Sequence, residues 1–341
     1  MSLQQKLNKV QFTSRSDLTG ITGKLEVILR LIDNIHVGSG ELKLKFRDST
    51  VVKRLAQDLI SKKDIVRVGI EASNLMFIEQ ALVRVGGKVC IPGSTIKGLI
   101  RSRLELMAGK RGNDIIASAC LSSAVPPPPK PPPIGSPGWR HARIWDKAIS
   151  VLRESESYLE EEVIVDLCPI CNLFGAPHIM SRVFFSDFYC GDGCDISECV
   201  FTEYGMRLEI LRPNTVLKGN IVLRGVTLEE LGLLLIGIGF DGTEFKPILI
   251  GRMKYAAEGF GKARFEVSKF VVSEYSINYL KSIDIELKRI DHHIVIDDGL
   301  RRLLSIAFNE ARKKFPDIEP FSEAEEKDRL ATNLNLRRCS A

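Results

Sequence analysis

Ile91-Pro92-Gly93-Ser94-Thr95-Ile96-Lys97-Gly98-Leu99-Ile100-Arg101-Ser102-Arg103-Leu104 is the stretch on which the fold turns. Ile96, Leu99, Ile100, Leu104 and Met107 recur at i, i+3, i+4 spacing, which predicts a helix with one apolar face. Ser94 or Thr95 is the expected N-cap. A Gly-Ser-Thr start presents backbone N–H groups at the positive helix end, and Lys97, Arg101 and Arg103 follow within the next turns, a ready anion site. Upstream, Lys24 to Leu31 places apolar residues at every second position, the period of a half-buried strand, and runs into the glycine turn His36-Val37-Gly38-Ser39-Gly40. Downstream, Arg182 to Tyr189 reads as a strand, and Arg207–Leu211 and Asn220–Leu223 as two more, joined through Pro213-Asn214. Thr227-Leu228-Glu229-Glu230 is a capping box opening a helix to about Gly239, and Ala263 to Val267 is a further strand. Stripped of insertions the order is strand, helix, strand, strand, helix, strand. This is an α+β, ferredoxin-like βαββαβ core with large insertions, the arrangement of RNA-recognition (RRM) modules.

The insertions divide the chain. Residues 1–108 hold the first half of the core, interrupted by a basic insertion at 41–90 with a helix expected around 50 to 61. Residues 109–181 form a second insertion containing Pro126 to Pro129 and Pro131 to Pro133, a run restricted to polyproline II or extended tether. Residues 182–270 complete the core. Residues 271–341 are expected as a C-terminal helical extension, with an amphipathic helix around 298 to 315 and a charged, frayed end.

With 341 residues, 44% hydrophobic and 27% charged, the composition excludes wholesale disorder. Mean hydropathy is +0.02, and the longest apolar run, Leu231 to Phe240, is too short to span a bilayer. No apolar core of a secretory signal follows Met1, so a cytoplasmic location without membrane association is expected, and the eight cysteines read first as thiols or metal ligands. A net charge of +5 leans mildly toward polyanionic partners.

Cys168-Pro169-Ile170-Cys171 is half a zinc site in its spacing; Cys120 and His141 are the candidates to complete it, with Cys190, Cys194 and Cys199 as a second set. The following Asn172-Leu173-Phe174-Gly175 gives little expectation of helix. Cys90 and Cys339 read as a buried small residue and a tail thiol. His36 has the pKa range for proton transfer, although a turn histidine with hydrogen-bonded nitrogens accounts for it as well. In Gly251 to Lys262 the glycines allow close backbone approach, Arg252, Lys254 and Lys262 offer phosphate contacts, and Tyr255 or Phe260 a stacking face. GxSxG, HExxH and P-loop patterns are absent from the sequence, so hydrolase and NTPase assignments lack support.

Taken in order, these segments resemble the RAMP (repeat-associated mysterious protein) superfamily of CRISPR systems, and within it the repeated backbone subunit of type III effector complexes. His36 to Gly40 resembles the family's HIGSG-like turn, and IPGSTIKGLIR (Ile91 to Arg101) its IPGSSLKG-x-x-R signature. CPICNLFG (Cys168 to Gly175), followed by Ser181-Arg182-Val183-Phe184-Phe185-Ser186-Asp187, resembles its C-x-x-C-x-L-F-G and S/T-R-hydrophobic-Asp stretch; Gly251 to Gly261 resembles its C-terminal glycine-rich loop.

The resemblance implies an RRM-like core that binds guide RNA through His36, Gly38, Ser39, Gly40, Ser94, Thr95, Lys97, Arg101, Arg182, Arg252, Lys254, Gly259 and Gly261. It implies as partners the complementary target RNA, other RAMP subunits and further copies of the chain. In subunits of the family that cut target RNA, an aspartate precedes the IPGSS signature; Glu79 matches that position here, with Asp64 or Asp48 as alternatives. Two readings follow: a non-catalytic RNA-binding scaffold in antiviral defence, or an endoribonuclease dependent on a divalent metal through Glu79 or a nearby aspartate. The family's longer hairpin after the S/T-R-hydrophobic-Asp strand, which kinks the guide, is matched here only by Cys190 to Tyr204.

Overall fold

The computed structural model describes residues 6–46, 49–61, 65–108, 116–120, 132–145, 166–201, 206–339. Pro126 to Pro131, Asp48 and Asp64 lie outside the described residues.

Strand β1 (Ile21–Leu31) buries Leu25, Val27, Leu29 and Leu31 on one face, as its alternation predicts. Helix α1 (Gly93–Met107) follows, then β2 in two pieces (Val183–Phe185 and Phe188–Cys190), β3 (Val216–Val226), α2 (Leu228–Gly237) and β4 (Lys262–Val272). The sheet order across this core is β4-β1-β3-β2, with every neighbouring pair antiparallel. This is the ferredoxin-like βαββαβ core expected from sequence. Short strands extend it at both edges, including Lys88–Ile91 beside β2 and His293–Val295 beside β4.

Local chemistry explains the helix boundaries. Thr227 and Glu230 form the capping box of α2, each accepting the other's backbone N–H. The start of α1 differs from expectation. Pro92, not Ser94 or Thr95, is the N-cap, and the Asp187 carboxylate accepts the Gly93 N–H at 2.9 Å. A Cβ at Gly93 would lie 2.2 Å from the Phe185 carbonyl oxygen, so only glycine lets the helix start this close to β2.

Outside the core the sequence-based picture changes in four places. Met206–Leu211 does not join the central sheet. It pairs with Ile196–Phe201 as a hairpin, and that hairpin joins Met76–Leu82 and Gly38–Phe46 in a separate four-stranded sheet. A hairpin therefore occupies the place where only a cysteine-bearing segment was expected. The insertion before α1 contains the expected helix as Ser49–Ile60 and also a second, Ile65–Leu75. CPICNLFG forms a short helix, Pro169–Phe174, because Pro169 sits in its first turn, where its missing N–H costs nothing.

The cysteines supply the fourth change. Cys190 is bonded to Cys194, and Cys199 to Cys339, so the second candidate metal set is overturned and Cys339 is not a free tail thiol. The second bond, with a parallel bridge between Ala257 and Arg337, ties down the end expected to fray. After β4 the chain adds α3 (Asp297–Lys314), packed on α2, and α4 (Glu323–Arg329). The main apolar cluster among the described residues runs from Ile21 to Leu334, and a smaller one gathers Cys199, Phe201, Leu208, Ile210, Ala257 and Phe260. No helix among the described residues is long and apolar enough to cross a membrane.

Candidate nucleic-acid interface and cysteine cluster

The glycine turn after β1, the start of α1 and the loop before β4 are distant in sequence, yet they wall one groove. Its smaller lobe, about 380 Å³, lies between Thr95, Gly98, Leu99 and Ser102 of α1 and Gly251, Arg252, Lys254 and Tyr255 of the loop, with His36 to Gly38 beneath. The larger lobe, about 730 Å³, shares those four loop residues and extends over Leu42, Ile78 and Gln80 of the second sheet to Arg207 and Arg337. Gly251 has φ +83°, and a Cβ there would meet the His36 carbonyl oxygen at 2.7 Å; the Arg252 N–H donates to that same oxygen at 2.8 Å. The loop is thus laid against the His36 turn backbone to backbone, which leaves Arg252 exposed at the junction of the two lobes.

His36 is fully buried. Its Nδ1 lies 2.7 Å from the Glu209 carbonyl oxygen, so this nitrogen carries the proton and donates. Burial lowers its pKa, so the ring is neutral at pH 7. The simpler reading, a turn histidine with hydrogen-bonded nitrogens, holds for Nδ1 but not for Nε2, which is buried beneath the groove with no hydrogen-bond partner among the described residues. The Glu209 side chain organises the neighbouring sheet: it accepts from the Leu82 N–H at 2.9 Å and from Arg84 Nη1 at 2.7 Å, with Lys43 Nζ at 3.8 Å. Burial opposes its charge, but Arg84, Leu82 and Lys43 together hold its pKa down to about 2. A carboxylate depressed in the fold stabilises above its unfolded pKa of about 4.3. That stabilisation is expected to fade as pH falls from about 4.3 toward 2, and Glu209→Gln should flatten this limb in acid-unfolding curves.

Of the residues drawn from the resemblance, the groove brings together His36, Gly38, Thr95, Arg252 and Lys254. Lys254 is half-buried over the Tyr255 ring, 5.2 Å from its centroid, and burial lowers its pKa. Ser39, Gly40, Ser94 and Lys97 lie on the flanking surface, outside both lobes; burial and then Arg101 lower the pKa of Lys97. Gly259 and Gly261 shape the loop from behind, exchanging backbone hydrogen bonds with Asn34.

Two arginines turn their guanidinium groups into the protein. Arg101 donates to Glu105 at 2.8 Å, to the Gly175 carbonyl at 2.6 Å and to Cys171 Sγ at 3.4 Å. Arg182 is buried, donating to Glu230 Oε1 at 2.6 Å and to the Gly225 carbonyl. Glu79 is buried as well: 1% of its side chain is exposed, with Lys45 Nζ 2.5 Å from its Oε1. Sequence reasoning did not single out Gly98, Ser102, Gln80, Arg207 or Arg337. Gly98, a glycine mid-helix with open space before it, was the one carrying a signal.

Cys120, Cys168 and Cys171 converge as a buried triad whose sulfurs all lie within 4.8 Å of one another. His141 does not join them; its ring packs edge-on against Tyr255 at 4.9 Å. Cys120 Sγ is 3.3 Å from Cys171 Sγ, and Cys168 Sγ accepts the Cys120 N–H at 3.2 Å. Burial pushes the Cys168 thiol well up, and the hydrogen bond with Cys120 is the first cause that pushes Cys171 up to about 12. Three soft donors at this spacing, walled from water, fit a thiophilic ion, which would reverse those shifts by binding thiolates.

The sequence model of the RAMP superfamily matches residues 28–330. The chain belongs to the RAMP superfamily. That span begins within β1, takes in the rest of the βαββαβ core and ends just past α4. The RAMP assignment makes this protein a CRISPR-associated subunit with RNA-binding or RNA-processing work and effector-complex partners. No curated protein matches the chain.

Proposed function

We propose that this RAMP protein is a guide-RNA-binding backbone subunit of a type III CRISPR interference complex, gripping RNA phosphates without base specificity. The observation that carries this reading is the convergence of three glycine-bearing segments with Arg252, Lys254, Arg207 and Arg337 on one two-lobed groove. Cations and close-approaching backbone position a phosphate chain but read no base edges, as a protein serving any spacer must. Guide RNA lies in the groove, complementary target RNA pairs with it, and other RAMP subunits and further copies of the chain flank it in the assembly. The burial of Glu79 against Lys45 supports the scaffold reading over the nuclease one, because a carboxylate holding a catalytic divalent metal needs open coordination sites.

The test is a titration of the purified protein with labelled guide-type RNA and its complement, with and without Mg²⁺ or Mn²⁺, at two salt concentrations. Salt-sensitive binding indifferent to sequence, with both strands intact, is expected. Absence of binding overturns the reading. Target cut at regular intervals by the wild type and left whole by Glu79→Gln replaces it with the endoribonuclease.

The triad of Cys120, Cys168 and Cys171 belongs to the same reading as a structural zinc site. Protein purified without chelator should carry about one zinc per chain, lost in Cys171→Ser, which should also melt lower. A well-folded protein free of zinc by elemental analysis makes the triad a cluster of thiols.

A further inference from the structure

We propose that α4 braces the RNA groove, with Glu323 and Lys327 as positioning residues that hold the two ends of its glycine loop; this rests on the RNA-binding reading above. The two residues are four apart, so they project from one face of the helix. Glu323 is fully buried; its Oε1 accepts the Leu249 N–H at 2.9 Å, and its carboxylate pairs with Arg103 of α1. Lys327, 2% exposed, donates from Nζ to the carbonyls of Ala257 at 2.8 Å and Phe260 at 2.7 Å. Between these anchors runs Gly251 to Ala256, the part of the loop that walls both lobes.

Through Glu323 the loop is also tied to α1, the opposite wall of the smaller lobe, so a single helix fixes the distance between the two walls. Neither Glu323 nor Lys327 lines the groove itself. Their influence on a bound strand passes through the loop backbone. An ammonium donating to two carbonyls in a water-excluded site makes charge-assisted bonds, stronger than neutral ones. Asp33, Lys262, Asp328 and Glu258 are the charged groups around Lys327, and burial brings its pKa down to about 8.

The experiment compares full-length wild type, Lys327→Met and Lys254→Met by hydrogen exchange and by RNA titration at several salt concentrations, well below each protein's melting point. For Lys327→Met the amides between Leu249 and Gly261 should exchange about tenfold faster, and RNA affinity should drop about tenfold with the salt slope unchanged. Lys254→Met, which removes a cation that lines the groove, should instead reduce the salt slope by about 1. Wild-type exchange and affinity in Lys327→Met overturn the brace. A reduced salt slope in Lys327→Met overturns it too, since Lys327 would then touch phosphate itself. If the wild type binds no RNA, the functional reading fails, and the exchange of Leu249 to Gly261 alone decides whether α4 holds the loop. Should Lys327→Met not fold, Ser322→Ala carries the test. It removes the α4 N-cap and the hydrogen bond to the Pro247 carbonyl, and should raise the same exchange rates about threefold.

Discussion

Arg103→Met lowers the unfolding free energy by about 3–5 kcal/mol, read from the midpoint of a urea titration at fixed slope. The size follows from what is stranded. Arg103 is 1% exposed, and its guanidinium meets Glu323 through Nε at 3.0 and 3.1 Å, the Gly237 carbonyl at 2.6 Å and the Phe321 carbonyl at 2.7 Å. Burial opposes the charge of Arg103 and Glu323 supports it. Methionine fills much of the volume but leaves a buried carboxylate without its counter-ion and two carbonyls without donors. The double variant Arg103→Met with Glu323→Gln removes the stranded charge and should recover part of the loss, a non-additivity that a distant pair would not show. A single-variant loss below about 1 kcal/mol contradicts the buried-pair account.

Arg252→Ala combined with Lys254→Ala is expected to weaken RNA binding by about a hundredfold at low salt, and the salt slope should fall by about 1 for each residue removed. Arg252 stands where the two lobes meet, hydrogen-bonded through its side chain to Gln80 and through its backbone to His36. Lys254 lies over Tyr255 on the same loop, so the pair forms the cationic centre of the groove. The loss should be equal for homopolymeric and mixed-sequence RNA if the pair grips phosphates, as proposed above. Losses that depend on sequence contradict the backbone grip. Unchanged binding moves the RNA to another surface.

The core was legible because its signals are local. Alternation marked β1, the i, i+3, i+4 apolar face marked α1, and the Thr227–Glu230 capping box marked α2. The groove was legible in part for a related reason, since glycines announce places where backbones come close, and the His36 and Gly251 turns do meet. Side-chain destinations were not legible. Arg101 and Arg182 display charge in the sequence but not the Gly175 and Gly225 carbonyls that accept their hydrogen bonds. Cys199 gives no sign of a partner 140 positions away, and Arg207 and Arg337 reach the groove only through the second sheet and the tethered C-terminal segment. Ser94 and Thr95 look like caps until Asp187, on another element, takes the Gly93 N–H.

The groove draws its walls from Gly38 near one end of the chain and Arg337 near the other, and its loop is anchored by Glu323 and Lys327. These last pieces follow the core in sequence. A growing chain can lay down β1, α1 and much of the sheet before Glu323 and Lys327 emerge, so the loop gains its anchors only after the walls it faces are already made.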